Sequence, residues 1–108
     1  STKPKESIDL DPNQIAFIKG EGNYSTIYWY EEEILKQQLL RVTLNQLEKQ
    51  LSTFDSINRC HKSFLVNLNA SLNLTGNARG YYIESNSFPI RVPVSRSKNK
   101  FIVKFFNQ

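Results

Sequence analysis

Cys60, His61, Lys62 and Ser63 stand side by side, and a thiol beside an imidazole is the first pattern in this chain that could do chemistry. A nucleophilic cysteine needs its base within hydrogen-bond reach. The residues around the pair read as a strand, where neighbouring side chains point to opposite faces, so Cys60 and His61 cannot pair. His61 and Ser63 could share a face, but no acid lies nearby in sequence to orient the imidazole. With one Cys and one His in the chain, a zinc site lacks ligands, and the acids are scattered. Gly20-Glu21-Gly22 lacks both the Lys-Ser/Thr of a P-loop and the third glycine of a dinucleotide fingerprint. Glu31-Glu32-Glu33 reads as a solvated turn rather than an acid/base pair. Three sequons, at Asn23, Asn69 and Asn73, read as chance in an Asn-rich chain without a signal-peptide pattern. These residues build no catalytic centre, no metal site and no cofactor site.

The chemistry that remains is electrostatic. The chain has 108 residues, with 14 Lys and Arg against 10 Asp and Glu, a formal charge of +4. The charge is unevenly placed. Residues 1–58 hold six basic and nine acidic residues, net −3, whereas residues 59–108 hold eight basic residues and only Glu84, net +7. A block so basic and nearly free of acids suits a polyanion.

The elements that must position these charges follow from periodicity and punctuation. The length fits one domain, and 39% hydrophobic with 12% aromatic residues supplies a core and argues against disorder. No apolar run approaches the roughly 20 residues that span a bilayer. A lone cysteine excludes an internal disulfide and points to a reducing compartment. There is no Met, so Ser1 reads as the start of an excised or cloned fragment. Residues 1–12, polar and carrying Pro4 and Pro12, read as a linker or remnant, with the domain over 13–108. A period of two from Ile15 ends at the Gly20–Asn23 loop. Ser25–Tyr30 is β-branched and aromatic, the mark of a strand, and Ile34–Arg41 returns as its hairpin partner, although its paired Ile-Leu and Leu-Leu would also suit a helix.

Leu44–Leu51 is the clearest helix: Thr43 and Gln46 form a capping-box pattern, and Leu44, Leu47 and Leu51 make one apolar stripe. Short strands follow at Ile57–His61, Phe64–Leu68, Leu72–Thr75, Tyr81–Ser85 and Phe88–Val94, the last an edge or broken strand because of Pro89 and Pro93. Ser95 is placed to cap a short closing helix carrying Phe101, Ile102 and Phe105. The fold class is mostly β and antiparallel, with one clear short helix and a possible second at the C-terminus.

The run Arg59-Cys60-His61-Lys62-Ser63-Phe64-Leu65-Val66-Asn67-Leu68 resembles the signature of the LytTR family, a bacterial DNA-binding domain whose central motif is H-[RK]-S-[FY]-x-V-N. Three further segments agree in order. Asp11–Ile18 with Gly22-Asn23-Tyr24 looks like the opening strand and loop; Arg41–Leu44 with Leu47, Glu48 and Leu51 looks like the helix entry; Val92-Pro93-Val94-Ser95-Arg96-Ser97 looks like the closing signature. The likeness runs from Ile8 to Phe106.

This resemblance implies an elongated antiparallel β fold of several small sheets whose loops enter the major groove of double-stranded DNA. It implies dimers on paired direct repeats, and a place in the cytoplasm at the C-terminus of a response regulator or membrane-anchored regulator, whose receiver or sensor domain would lie outside this fragment. The DNA-binding set it implies is Asn23, Tyr24, Ser25, His61, Lys62, Ser63, Ser95, Arg96, Ser97, Lys98 and Lys100. Within it, Asn23 could pair bidentately with adenine and Arg96 with guanine. Lys62, where many members carry Arg or Asn, could reach guanine or a phosphate but lacks the planar fork of Arg. Ser63, Ser95, Ser97, Lys98 and Lys100 suit phosphate or positioning roles.

Plainer roles are open beside these. Tyr24 fits half-buried hairpin packing, His61 a buttress of the contact loop, Phe64 and Val66 the core, Asn67 the tie of a turn, and Asn23 a left-handed residue after Gly22. The rival to DNA binding is a protein-interaction or dimerisation module presenting Tyr28, Trp29 and Tyr30. An RNA-binding module, which would stack bases on such exposed aromatics, is a third reading.

Overall fold

Ile15, Ala16, Phe17 and Ile18 are all buried, and that run of four shows how the molecule is layered. A strand buried on both faces must carry apolar side chains at consecutive positions. In the computed structural model, which describes residues 3–108, this strand is β1 (Ile15–Glu21), the middle of a five-stranded antiparallel sheet. The sheet is completed by β2 (Tyr24–Glu31), β3 (Ile34–Leu40), β4 (Ile57–His61) and β5 (Phe64–Asn67), in the order β3-β2-β1-β5-β4. A second antiparallel sheet holds β6 (Asn73–Asn77), β7 (Gly80–Glu84) and β8 (Val92–Val94) in that order. Helix α1 (Leu44–Gln50) follows β3, and α2 (Asn99–Phe106) closes the chain after a 3-10 turn at Arg96–Lys98. The molecule measures 37 × 29 × 28 Å, so it is only modestly elongated.

The two faces of the central sheet belong to two cores. Ile15, Ile18, Ile27, Leu40 and Leu65 pack with Leu44 and Leu47 of α1. Ala16, Phe17, Phe64 and Val66 face the other way and pack with Ile83, Val92 and Val94 of the small sheet and Ile102 of α2. A register shift between Ile15 and Phe17 interrupts strict alternation, as an extra residue in one strand does. Ile15 and Ile18 therefore join one core while Ala16 and Phe17 join the other.

Thr43 caps α1 as its spacing predicts: its hydroxyl accepts the Gln46 N–H at 3.1 Å, and Gln46 Oε1 accepts the Thr43 N–H at 2.9 Å. The expected strand at Phe88–Val94 is shorter, beginning only at Val92. The Phe88 N–H bonds back to the Ser85 carbonyl in a turn, Pro89 has no donor to offer a ladder, and the Phe88 ring packs on Phe17 with centroids 4.7 Å apart. Pro93 is tolerated because β8 is an edge strand. Packed structure also begins ahead of residue 13. The Lys5 N–H bonds the Leu39 carbonyl at 3.0 Å, and Ile8 and Leu10 pack against the α1 core.

Tyr28, Trp29 and Tyr30 do not form a free aromatic face. All three are half-buried; Tyr28 stacks on Phe17 at 4.2 Å, Trp29 packs on the α1 core, and the Tyr30 hydroxyl bonds Ser87 Oγ. The interaction-module and RNA-stacking readings lose the surface they need.

Candidate nucleic-acid interface

Three loops meet at one end of the molecule because of strand register. Lys19 of β1 pairs with both Thr26 of β2 and Phe64 of β5. The β1–β2 hairpin tip, with Gly22 and Asn23, and the β4–β5 tip, with Lys62 and Ser63, therefore project from the same edge. The Gly20 N–H bonds the Ser63 carbonyl at 2.8 Å and joins these tips. The Ser95 N–H bonds the Cys60 carbonyl at 2.8 Å and brings the Ser95–Lys98 turn beside them. A mostly polar cleft between the first two tips is lined by Gly20, Gly22, Thr43, Leu44, Asn45, Arg59, Lys62 and Ser63.

Backbone geometry explains the first tip. Gly22 takes φ +60, a conformation glycine adopts without steric cost. Asn23 has no positive φ, so the left-handed role expected of it falls to Gly22, and Asn23 is left exposed at the tip. Gly20 is needed for a different reason: a Cβ there would lie 2.8 Å from Leu44 Cβ, where β1 passes close under α1. Tyr24 is half-buried with the Arg41 guanidinium 5.4 Å from its ring centre. Ser25 is 1% exposed and donates to the Val42 carbonyl at 2.8 Å. The expectation that Ser25 faces DNA is corrected by this burial; its hydroxyl ties the hairpin to the segment leading into α1.

The second tip is held from within. His61 Nδ1 accepts the Ser63 N–H at 3.1 Å, so the ring acts as the buttress of the loop. Burial first, then the charges of Lys62 and Arg59, hold the imidazole below its ordinary value. Lys62 is exposed and Ser63 half-buried. Cys60 is fully buried, its thiol 3.8 Å from the Phe64 carbonyl, and burial pushes it up to about 12. A thiol that resists ionisation is no nucleophile at neutral pH.

Arg59 is the positioning group that no role was assigned to in sequence. Nε donates to the His61 carbonyl and Nη2 to the Lys62 carbonyl, while Nη1 reaches both Asn45 Oδ1 and Glu48 Oε1 of α1. A planar fork with five N–H donors is what this fan of acceptors requires. Its place at the head of the Cys60–Ser63 motif was the available signal; that the loop lies beside α1 was not visible.

In the third loop, the Ser95 hydroxyl does not cap a helix. It lies 3.4 Å from the Cys60 carbonyl, and the Lys98 N–H bonds the Ser95 carbonyl to close the turn. Arg96 and Ser97 are exposed, Lys98 is half-buried, and Lys100 is exposed on the first turn of α2. At the opposite end Glu32 and Glu33 close the β2–β3 hairpin, and Glu84 ends β7.

The model of the LytTr DNA-binding domain matches residues 5–107. This chain belongs to that family. It is 32% identical over 93 residues, or 84% of its length, to the sensory transduction protein LytT of Oceanobacillus iheyensis. The chain spans only 36% of that relative, about a third of its length. A solved LytTr DNA-binding domain from Bacillus cereus superposes with a TM-score of 0.65 at 22% identity, covering 94% of this chain and 88% of that one. The mostly β, antiparallel architecture is thus that of LytTr domains, and the family is one of DNA binders rather than enzymes. Among the described residues, no helix of this LytTr domain is long and apolar enough to cross a membrane, and no cluster of His, Cys, Asp and Glu could hold a metal ion.

Proposed function

We propose that this LytTr domain reads duplex DNA sequence-specifically, with the tips at Asn23, Lys62 and Arg96 entering the major groove. The observation that carries this is the pair of backbone hydrogen bonds, Gly20 to Ser63 and Ser95 to Cys60, which hold three loops as one unit around exposed Asn23, Lys62 and Arg96. A groove about 12 Å wide admits such loops without a recognition helix. In this reading Asn23 pairs with adenine, Arg96 forks onto guanine O6 and N7, and Lys62 contacts guanine or the adjoining phosphate. Ser63, Ser97, Lys98 and Lys100 position the domain on the backbone, while Tyr24, His61 and Ser95 shape the loops.

The domain acts as the effector end of a cytoplasmic or membrane-anchored bacterial regulator and binds paired direct repeats as a dimer. Its membership of a family found in a sensory transduction protein supports the first part. Selection of sites from random duplex DNA, followed by footprinting, should enrich two copies of one motif in the same orientation. Arg96→Ala should then cost on the order of 1–3 kcal/mol on that site and relax one base position. Unchanged affinity with an unchanged base preference would remove Arg96 from the readout.

A further inference from the structure

The chain has five arginines, and the structure occupies three of them. Arg41 pairs with Glu6 at 3.2 Å, Arg59 with Glu48 at 2.6 Å, and Arg91 lies over the Tyr82 ring at 4.0 Å. Among the described residues, Arg79 and Arg96 make no ion pair and no ring contact. Arg96 belongs to the interface described above; Arg79 sits on the β6–β7 hairpin, far from it in sequence.

Register brings the two together. Tyr81 pairs with Val94 and Ile83 with Val92, so the chain leaving β8 toward Ser95 and Arg96 runs level with Gly80 and the tip before it. Arg79 therefore stands at the loop-bearing end, whereas Arg91, which precedes Val92, stands at the other. The tip is tightly built. Asn77 pairs with Gly80 across the two-residue turn Ala78-Arg79, and Asn77 Oδ1 accepts the Arg79 N–H at 2.9 Å. Gly76 takes φ +93, and a Cβ on it would meet the Gly80 carbonyl oxygen at 2.1 Å. The result is an exposed guanidinium on a short turn that has little freedom to fold away.

We propose that the Ala78-Arg79 tip is a further DNA contact, in which Arg79 binds a backbone phosphate flanking the groove read by Arg96. The inference rests on the DNA-binding reading. Adjacent strands lie about 4.8 Å apart, so the tip is displaced sideways from the Arg96 turn. Even the shortest dimension of the domain, 28 Å, exceeds a groove about 12 Å wide. A cation at that lateral position meets the phosphate wall rather than the base edges, and Arg suits phosphate through its fork.

The test is the salt dependence of binding to the selected site and to an unrelated duplex, for the wild-type chain and for Arg79→Ala, Arg79→Lys and Arg91→Ala. Arg79→Ala should weaken both duplexes equally, on the order of 3- to 10-fold, and reduce the slope of log K against log salt by about 0.9. Arg79→Lys should keep the slope, as should Arg91→Ala, and the Arg79→Ala melting temperature should match wild type because the side chain has no intramolecular partner. An unchanged slope in Arg79→Ala, or a loss confined to one base position, overturns the phosphate contact while leaving the wild-type readout standing. A wild-type chain that binds neither duplex removes the parent reading together with this one.

Discussion

Arg59 binds the Glu48 carboxylate at 2.6 Å and the Lys62 carbonyl through the same guanidinium. A residue of the β4–β5 loop is thereby referenced to helix α1, and the helix to the sheet. Arg59 is mostly buried while Glu48 is about half exposed, so the pair is worth little as Coulomb energy. Its value lies in geometry, since a loop that reads bases must be held to within a fraction of an ångström.

Arg59→Gln should therefore lower affinity for the selected site by on the order of 10-fold, one charge-assisted hydrogen bond or slightly less. Affinity for unrelated duplex should change little. Arg59→Lys should not rescue, because an ammonium cannot span acceptors on two elements. Equal losses on both duplexes, measured side by side, would instead make Arg59 a phosphate contact.

His61 predicts a pH dependence with a definite sign. Its Nδ1 accepts the Ser63 N–H, and burial with Lys62 and Arg59 holds its pKa below the ordinary value of 6.5. The folded chain thus binds fewer protons than the unfolded one. This contribution to stability is complete above pH 6.5 and is lost as pH falls through the depressed folded value. Because it is the single histidine, one NMR titration reads it directly. His61→Asn, which keeps an acceptor at a similar place, should flatten the melting temperature between pH 8 and 5; an unaltered pH profile would count against the buttress.

Thr43→Ala removes the hydroxyl of a closed capping box and should cost about 1 kcal/mol. For a domain of this size that is a fall of roughly 4–8 °C in melting temperature. Base preference should persist, since the tips proposed to enter the groove are untouched.

Glu32 and Glu33 close the β2–β3 hairpin with φ of 51 and 67, values that favour Asn and Gly. Replacing Glu32 by Asn together with Glu33 by Gly should stabilise the domain by about 1–2 kcal/mol, seen as a higher melting temperature. Because the turn lies opposite the loops proposed to read DNA, base preference should stay as it is.

Much of this molecule could be read from local patterns. Thr43 with Gln46 marked the helix start, STIYWY the central hairpin, and the run from Arg59 to Leu68 the family. These signals are carried by a few adjacent residues and by rules of period and capping that act within a turn or two. What they could not supply was which side chains remain free. Ser25 looked like a loop residue, but its hydroxyl ties the β1–β2 hairpin to Val42. The rival reading required Tyr28, Trp29 and Tyr30 to be exposed, yet Tyr28 is covered by Phe17, Trp29 by the α1 core, and Tyr30 is tied to Ser87. Arg59 and Arg79 are the same residue type, and sequence gives no reason to expect that one is clamped between helix and loop while the other stands open.

The sequence by itself determined the family, the order of the elements and the concentration of positive charge after residue 58. Only the tertiary structure decided which of those charges share one end of the molecule. Strand register, with Lys19 between Thr26 and Phe64 and Tyr81 against Val94, places Lys62, Arg79 and Arg96 there, beside the uncharged Asn23. The hairpin pairing of Lys19 with Thr26 is local, but the pairing of Lys19 with Phe64 joins distant parts of the chain; it is selected by burial on two faces at once, and no short window of sequence contains both partners.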